Sequence, residues 1–194
     1  MKRYSISIVV LFFTVLNYGQ ADFGVEMWRD HLPYSNVKQV AKVGATAYGA
    51  TDYSLYKVNE DDKSIEQLNT VFGLSDFAIS SIAANDYSNT LIVGYTNGNI
   101  DLIEDDKVFN LNAILESNVV GDRTIYNIHC IDQYAYLACG FGIVVMDVSK
   151  QEIKDTYYIG TNGANLKVND ITLSADKIYA ATEDGVYFAD LSSP

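Results

Sequence analysis

Leu91-Ile-Val-Gly-Tyr-Thr-Asn-Gly-Asn-Ile-Asp-Leu-Ile103 reads as strand, tight turn, strand. Leu91 to Tyr95 is apolar and partly β-branched. Asn97-Gly98 is a strong hairpin signal, and Ile100, Leu102 and Ile103 resume the apolar pattern. The unit recurs at Ala45-Thr-Ala-Tyr-Gly-Ala-Thr-Asp-Tyr-Ser-Leu-Tyr-Lys-Val58, at Tyr134-Ala-Tyr-Leu-Ala-Cys-Gly-Phe-Gly-Ile-Val-Val-Met-Asp147 and at Lys177-Ile-Tyr-Ala-Ala-Thr-Glu-Asp-Gly-Val-Tyr-Phe-Ala-Asp190.

Each copy is preceded by an apolar-x-x-apolar opening: Val37–Val40, Ile79–Ile82, Ile125–Ile128 and Val168–Ile171. The openings begin at residues 37, 79, 125 and 168, a period of 42 to 46 residues. Each unit ends in a weaker fourth strand, predicted at 65–68, 108–111 and 156–159. Four short antiparallel strands at this period are the signature of a β-propeller blade. A parallel β-helix needs a shorter period, helical repeats need 3.6-residue spacing, and a sandwich would not repeat the same opening. Only Asn112–Ser117 suits a helix, of about one turn. The fold class is therefore all-β, a propeller with about four blades of ~43 residues spanning 37–194. The fourth unit stops at Pro194 without an outer strand. The expected reading is the N-terminal part of a larger propeller; a ring of four closed by the lead-in segment is the other.

The composition fits a folded, exported chain. Hydrophobic residues make up 48% and charged residues 20%, which excludes a disordered chain, and Tyr (15) outnumbers Phe (8) and Trp (1). Residues 1–20 read as a signal peptide: Lys2 and Arg3, an apolar run from Ile6 to Leu16, then small residues for cleavage after Gly19 or Ala21. That run is short for a membrane span of ~20 residues. Residues 21–36, with Trp28 and His31-Leu-Pro-Tyr34, form a lead-in segment. The net charge of −12 becomes two units more negative once Lys2 and Arg3 leave. Without a basic cluster, such a surface disfavours nucleic acid and anionic membrane.

Chemistry-bearing motifs are sparse. His31 and His129 are isolated, and no Cys or acidic pair stands near either at ligand spacing. Asp61-Asp62 and Asp105-Asp106 lack the alternating oxygens of a calcium loop. Gly140-Phe-Gly142 lacks the following helix and Lys of a phosphate loop. Ser75-Asp76 has no base beside it and suits a turn. In a hairpin turning at Asp132-Gln133, Cys130 faces about Ala135 and Cys139 about Tyr126, too far out of register for a disulfide, so both thiols are expected free. The openings place Lys38, Gln39, Ser80, Ser81, Tyr126, Asn127, Asn169 and Asp170 near the channel. Only one is acidic, which favours binding over catalysis. No catalytic, cofactor or metal residue is expected, and the ligand-binding residues stay unassigned.

Gly73-Leu-Ser-Asp-Phe-Ala-Ile-Ser-Ser-Ile82, the 91–103 hairpin with Asn97–Asp101, Gly140–Asp147, Thr156–Gly160 and the opening Trp28…His31-Leu-Pro-Tyr-Ser35 together resemble the N-terminal propeller of the PorZ family. The resemblance covers essentially all of the mature chain. It implies a non-enzymatic component of a type IX secretion attachment complex, exported to the periplasm or outer-membrane surface, helping deliver anionic lipopolysaccharide to sortase-processed cargo. The implied partners are proteins of that complex, including a sortase-like peptidase. Lipopolysaccharide contact falls to a C-terminal domain outside this stretch. Single pieces of the pattern also resemble two-component-regulator propeller repeats, which imply a periplasmic ligand sensor as the alternative. A propeller glycosidase or lyase would need carboxylates or His converging on the channel.

Overall fold

A computed structural model describes residue 32 and residues 34–191. The signal peptide expected at 1–20, Trp28 and His31 lie outside the described residues, as does most of the lead-in segment. The described chain forms four antiparallel sheets, each in sequential strand order. Blade 1 comprises β1 (Gln39–Val43), β2 (Thr46–Ala50), β3 (Leu55–Asn59) and β4 (Ile65–Leu68). Blade 2 comprises β5 (Ile79–Asn85), β6 (Thr90–Tyr95), β7 (Ile100–Glu104) and β8 (Lys107–Leu111). Blade 3 comprises β9 (Ile125–Ile131), β10 (Tyr134–Cys139), β11 (Gly142–Asp147) and β12 (Glu152–Tyr157). Blade 4 has three described strands: β13 (Val168–Ser174), β14 (Lys177–Thr182) and β15 (Gly185–Asp190). These are β-propeller blades, as the period implies.

The blades stack face to face, because residues of alternate parity on a strand point to opposite faces of its sheet. Tyr48, Leu55, Leu91, Val93 and Ile103 pack between blades 1 and 2. Ile92, Leu102, Ile125, Leu137, Val144 and Met146 pack between blades 2 and 3. Ile143, Val145, Val168, Ile171 and Ile178 pack between blades 3 and 4. The middle strands β6, β7, β10 and β11 are apolar on both sides because each separates two cores.

The repeated openings gain a physical meaning here. Their second apolar residue faces the preceding blade, and Ile82, Ile128 and Ile171 are buried there. Val40 has no described blade on that side and is 72% exposed. The first opening thus follows the pattern without the burial.

Four local readings are corrected. The outer strand of blade 3 is Glu152–Tyr157, not 156–159. The chain reverses at Val148–Gln151, with Gln151 at φ 56° and its amide bonded to Val148 O, and a bulge opposite Val145 shifts the pairing. Ile159 then packs into the blade 3–4 core from the following link. Cys139 lies opposite Ile125 instead of Tyr126, because a bulge precedes it; Cys130 faces Ala135, and both thiols are free. The Asn97-Gly98 turn is longer than a two-residue hairpin, closing with Gly98 N to Tyr95 O at 3.1 Å. Gly98 sits at φ 87°, and a Cβ there would lie 2.6 Å from Ile114 Cγ2, so packing of the next link also demands glycine. Within Asn112–Ser117, one turn closes from Glu116 N to Asn112 O without forming a helix, and the helical piece among the described residues is the short 3₁₀ segment Thr161–Gly163, broken at Asn162 (φ 58°).

Candidate functional site

In an up-and-down blade, connections β1–β2 and β3–β4 fall at one end of the sheet, whereas β2–β3 and the link to the next blade fall at the other. The seven connections at the first end, 44–45, 60–64, 86–89, 105–106, 132–133, 148–151 and 175–176, carry eight carboxylates against two lysines. Tyr87 is the one large apolar side chain exposed among them. At the other end, six are exposed: Tyr53, Val71, Phe72, Phe77, Val120 and Tyr158. The described propeller therefore has an acidic end and an apolar, link-bearing end.

The links at the apolar end are held by specific contacts. Ser75 N donates to Asp101 Oδ2 at 2.8 Å, and Asp76 Oδ1 accepts from Phe77 N at 2.8 Å while its Oδ2 accepts from Asn97 Nδ2 at 2.5 Å. Asp101, wholly buried on β7, also accepts from Tyr95 Oη at 2.6 Å and Asn110 Nδ2 at 3.0 Å. Burial and the Asp101 charge push the Tyr95 phenol well above its ordinary range, so it remains a donor. Ser75-Asp76 thus serves the turn expected of it, and through that turn presents Phe77.

The link at 112–124 is braced by Arg123, whose Nη2 donates to Ser117 O at 3.1 Å and Val119 O at 2.8 Å. Asn165 Nδ2 donates to Val120 O at 3.2 Å, tying this link to the next. Between them lies a depression of about 490 Å³ lined by Val119, Val120, Tyr158 and Asn165. Tyr158 rests on Phe141, ring centroids 6.2 Å apart, so its exposed edge is fixed in place. This rigid apolar floor was missed in the sequence. Its only trace was the apolar content of two otherwise irregular links.

The channel-side candidates do not converge. Gln39 stitches blades 1 and 2 by mimicking a backbone: its Nε2 donates to Ser80 O at 3.1 Å and its Oε1 accepts from Ile82 N at 2.7 Å. Ser80 Oγ donates to Gly94 O across a bulge, and Ser81 is buried. Lys38 pairs with Asp52 at 2.8 Å, both well exposed. Tyr126 Oη donates to Asp122 Oδ2 at 2.5 Å, with Lys167 4.1 Å from its ring centroid. Asp170 accepts from Ile171 N, Asn127 faces Ala138 across the ladder, and Asn169 points to solvent. His129 stands opposite Tyr136, half-buried. Among the described residues no three His, Cys, Asp or Glu are grouped to hold a metal, and no helix is long and apolar enough to cross a membrane.

Comparison with known proteins agrees with this architecture. The family described as "TSS9, PorZ, N-terminal beta-propeller domain" matches residues 47–193. Among solved structures, PorZ of Porphyromonas gingivalis, described as an essential bacterial surface component of the type-IX secretion system, superposes with TM-score 0.71 and 26% identity. That match covers 81% of this chain and 21% of PorZ, so the chain spans about a fifth of that relative. The extracellular domain of a putative hybrid two-component system from B. thetaiotaomicron gives TM-score 0.65 at 17% identity, covering 84% of this chain and 22% of its own. AztD of Citrobacter koseri gives 0.59 at 16%, covering 81% and 44%; at these identities the two share the fold. No curated protein matches the chain in sequence.

Proposed function

The chain belongs to the PorZ N-terminal β-propeller family, and from that membership we propose that it is the docking propeller of a non-enzymatic, exported component of a type IX secretion attachment complex. The observation that carries the reading is the split between the two ends. Exposed apolar patches mark interaction sites, and here Phe77, Val120 and Tyr158 stand on braced links at one end while the other end is acidic and solvated. The apolar end receives a protein of the complex, of which a sortase-like peptidase is the proposed example. The acidic end keeps the assembly soluble and away from the anionic outer surface. Signal-peptide export at 1–20, surface placement and a share in delivering anionic lipopolysaccharide to processed cargo are parts of the same proposal. Its support is family membership and the role of PorZ as a surface component of the type-IX secretion system.

The test is a triple variant, Phe77→Asp, Val120→Asp and Tyr158→Asp, in the native protein and host. Phe77 and Val120 are exposed and Tyr158 loses only its contact with Phe141, so the variant still folds and is exported, with Phe77→Asp and Val120→Asp alone as the control that leaves the Phe141 contact intact. The expected result is loss of cargo attachment at the surface. Normal cargo attachment with an altered transcriptional response to a periplasmic ligand would replace this reading with the sensor alternative.

A further inference from the structure

At the acidic end, between blades 1 and 2, lies a polar cleft of about 390 Å³ lined by Tyr48, Lys57, Asp62, Glu66, Asp105 and Asp106, among others. Tyr48 belongs to β2 and is only 5% exposed, its ring packed in the blade 1–2 core. Its hydroxyl lines the cleft and has no hydrogen-bond partner among the described residues. The ring is buried while the hydroxyl is left open to the cleft, a polar group at its floor that no other described side chain engages. Burial pushes the Tyr48 phenol above its ordinary value, so it stays protonated.

Lys57 does not serve as that partner. Its Nζ lies 2.7 Å from Asp106 Oδ1 and 3.0 Å from Glu66 Oε2, forming a crosspiece between the two blades. Burial would lower the Lys57 ammonium, but hydrogen bonds with Asp106 and Glu66 hold it above the usual lysine value. Asp105, at φ 52° in the β7–β8 turn, has no hydrogen-bond or ion-pair partner among the described residues. With Lys57 spent on Asp106 and Glu66, Asp62 and Asp105 leave the cleft net negative. Beyond the crosspiece a second cavity of about 270 Å³ shares Lys57, Glu66, Asp105 and Asp106 and is walled by Leu68, Phe72 and Val108.

We infer that this double cleft binds a cationic side chain, an arginine or lysine of a peptide segment, with a neighbouring bulky apolar group seated against Phe72. The unpaired Tyr48 hydroxyl and the unengaged Asp105 carboxylate accept from the cation, and the carboxylate excess supplies the complementary field. The dispersed carboxylates form no cage for a metal ion among the described residues, which directs the site to an organic cation. The cation subsite lies at the acidic end, the second cavity runs from it towards the link that carries Phe72, and neither contains Phe77, Val120 or Tyr158, so the inference stands whether or not the docking reading holds.

The test is calorimetric titration of the purified full chain with N-benzoyl-L-argininamide, which carries a guanidinium and an aromatic ring, against N-benzoyl-L-citrullinamide, its neutral isostere. Saturable binding of the arginine probe is expected, with the citrulline probe at least tenfold weaker, the worth of a charge-assisted hydrogen bond. Tyr48→Phe and Asp105→Asn should each weaken the arginine probe at least fivefold. Both keep the melting temperature, because neither group makes an internal bond among the described residues and Asn tolerates positive φ. Equal affinity for the two probes, no saturable binding at millimolar concentration, unchanged affinity in Tyr48→Phe, or tighter binding of a neutral methyl glycoside would overturn the inference.

Discussion

Replacing Asp101 with alanine removes one buried carboxylate and takes an acceptor from three donors at once, of which only Asn110 Nδ2 keeps others, Asn99 Oδ1 and Ile100 O. Tyr95 Oη (2.6 Å), Ser75 N (2.8 Å) and Asn110 Nδ2 (3.0 Å) all converge on it, and both Asp101 and Tyr95 are wholly buried. A hydrogen bond to a charged group contributes about 1.5–3 kcal/mol and an unpaired buried donor costs about 1–3 kcal/mol, so with partial relaxation the loss is about 3–5 kcal/mol. Tyr95→Phe removes a single bond and leaves Asp101 two donors, for about 1–2 kcal/mol. Because the two groups share one interaction, the double variant should fall short of additivity by about 1 kcal/mol or more. Urea unfolding followed by far-UV circular dichroism measures all four corners of the cycle. Hydrogen exchange at the Ser75 amide, which loses its only described acceptor, should quicken beyond the global change as the link that presents Phe77 loosens. A loss below about 1 kcal/mol in Asp101→Ala, or strict additivity, would refute the account of this network.

Two other predictions concern titration. Burial raises the carboxyl of Asp122, but hydrogen bonds from Tyr126 and Thr124 outweigh it and hold the group below its ordinary value. A depressed folded value means that its stabilisation is present above the unfolded value, near pH ~4, and is lost as pH falls through the folded one; melting temperature measured down to about pH 2 should therefore drop less steeply in Asp122→Asn than in the parent, and parallel curves would contradict this. Burial pushes the Cys130 thiol up to about 11 and the Cys139 thiol higher still, so iodoacetamide at pH ~8 should alkylate the folded protein about a hundredfold more slowly than the urea-unfolded chain. Comparable rates in the two states would show that the thiols are not sequestered.

The blades were legible because alternation and turn chemistry are local. Leu91–Ile103 carries its own strand, turn and strand, and the repeated openings fix the register of each inner strand. What escaped depends on contacts distant in sequence. The floor of the apolar end is set by Asn165 reaching Val120, 45 residues away, and by Arg123 folding its link back on itself. Tyr157-Tyr158-Ile159 read as strand because it is apolar, yet Tyr158 caps Phe141 and Ile159 serves the next core. Tyr48 looked like any core aromatic in a strand; only its unpaired hydroxyl, visible once blade 2 is packed against it, sets it apart. Gln39, placed near the channel by its position in the opening, is a clasp between the inner strands of blades 1 and 2, a role that needs a partner 41 to 43 residues away.

The central claim is that the link-bearing end is the face that meets protein. The direct measurement is photo-crosslinking in the native host, with benzoylphenylalanine placed at Val120 in one strain and at Tyr87 in another; the two positions are 84% and 67% exposed and lie at opposite ends of the propeller. The account predicts a discrete adduct from Val120, identified by mass spectrometry as a component of the secretion complex, and no such adduct from Tyr87. An adduct from Tyr87 alone, or none from Val120, would contradict it.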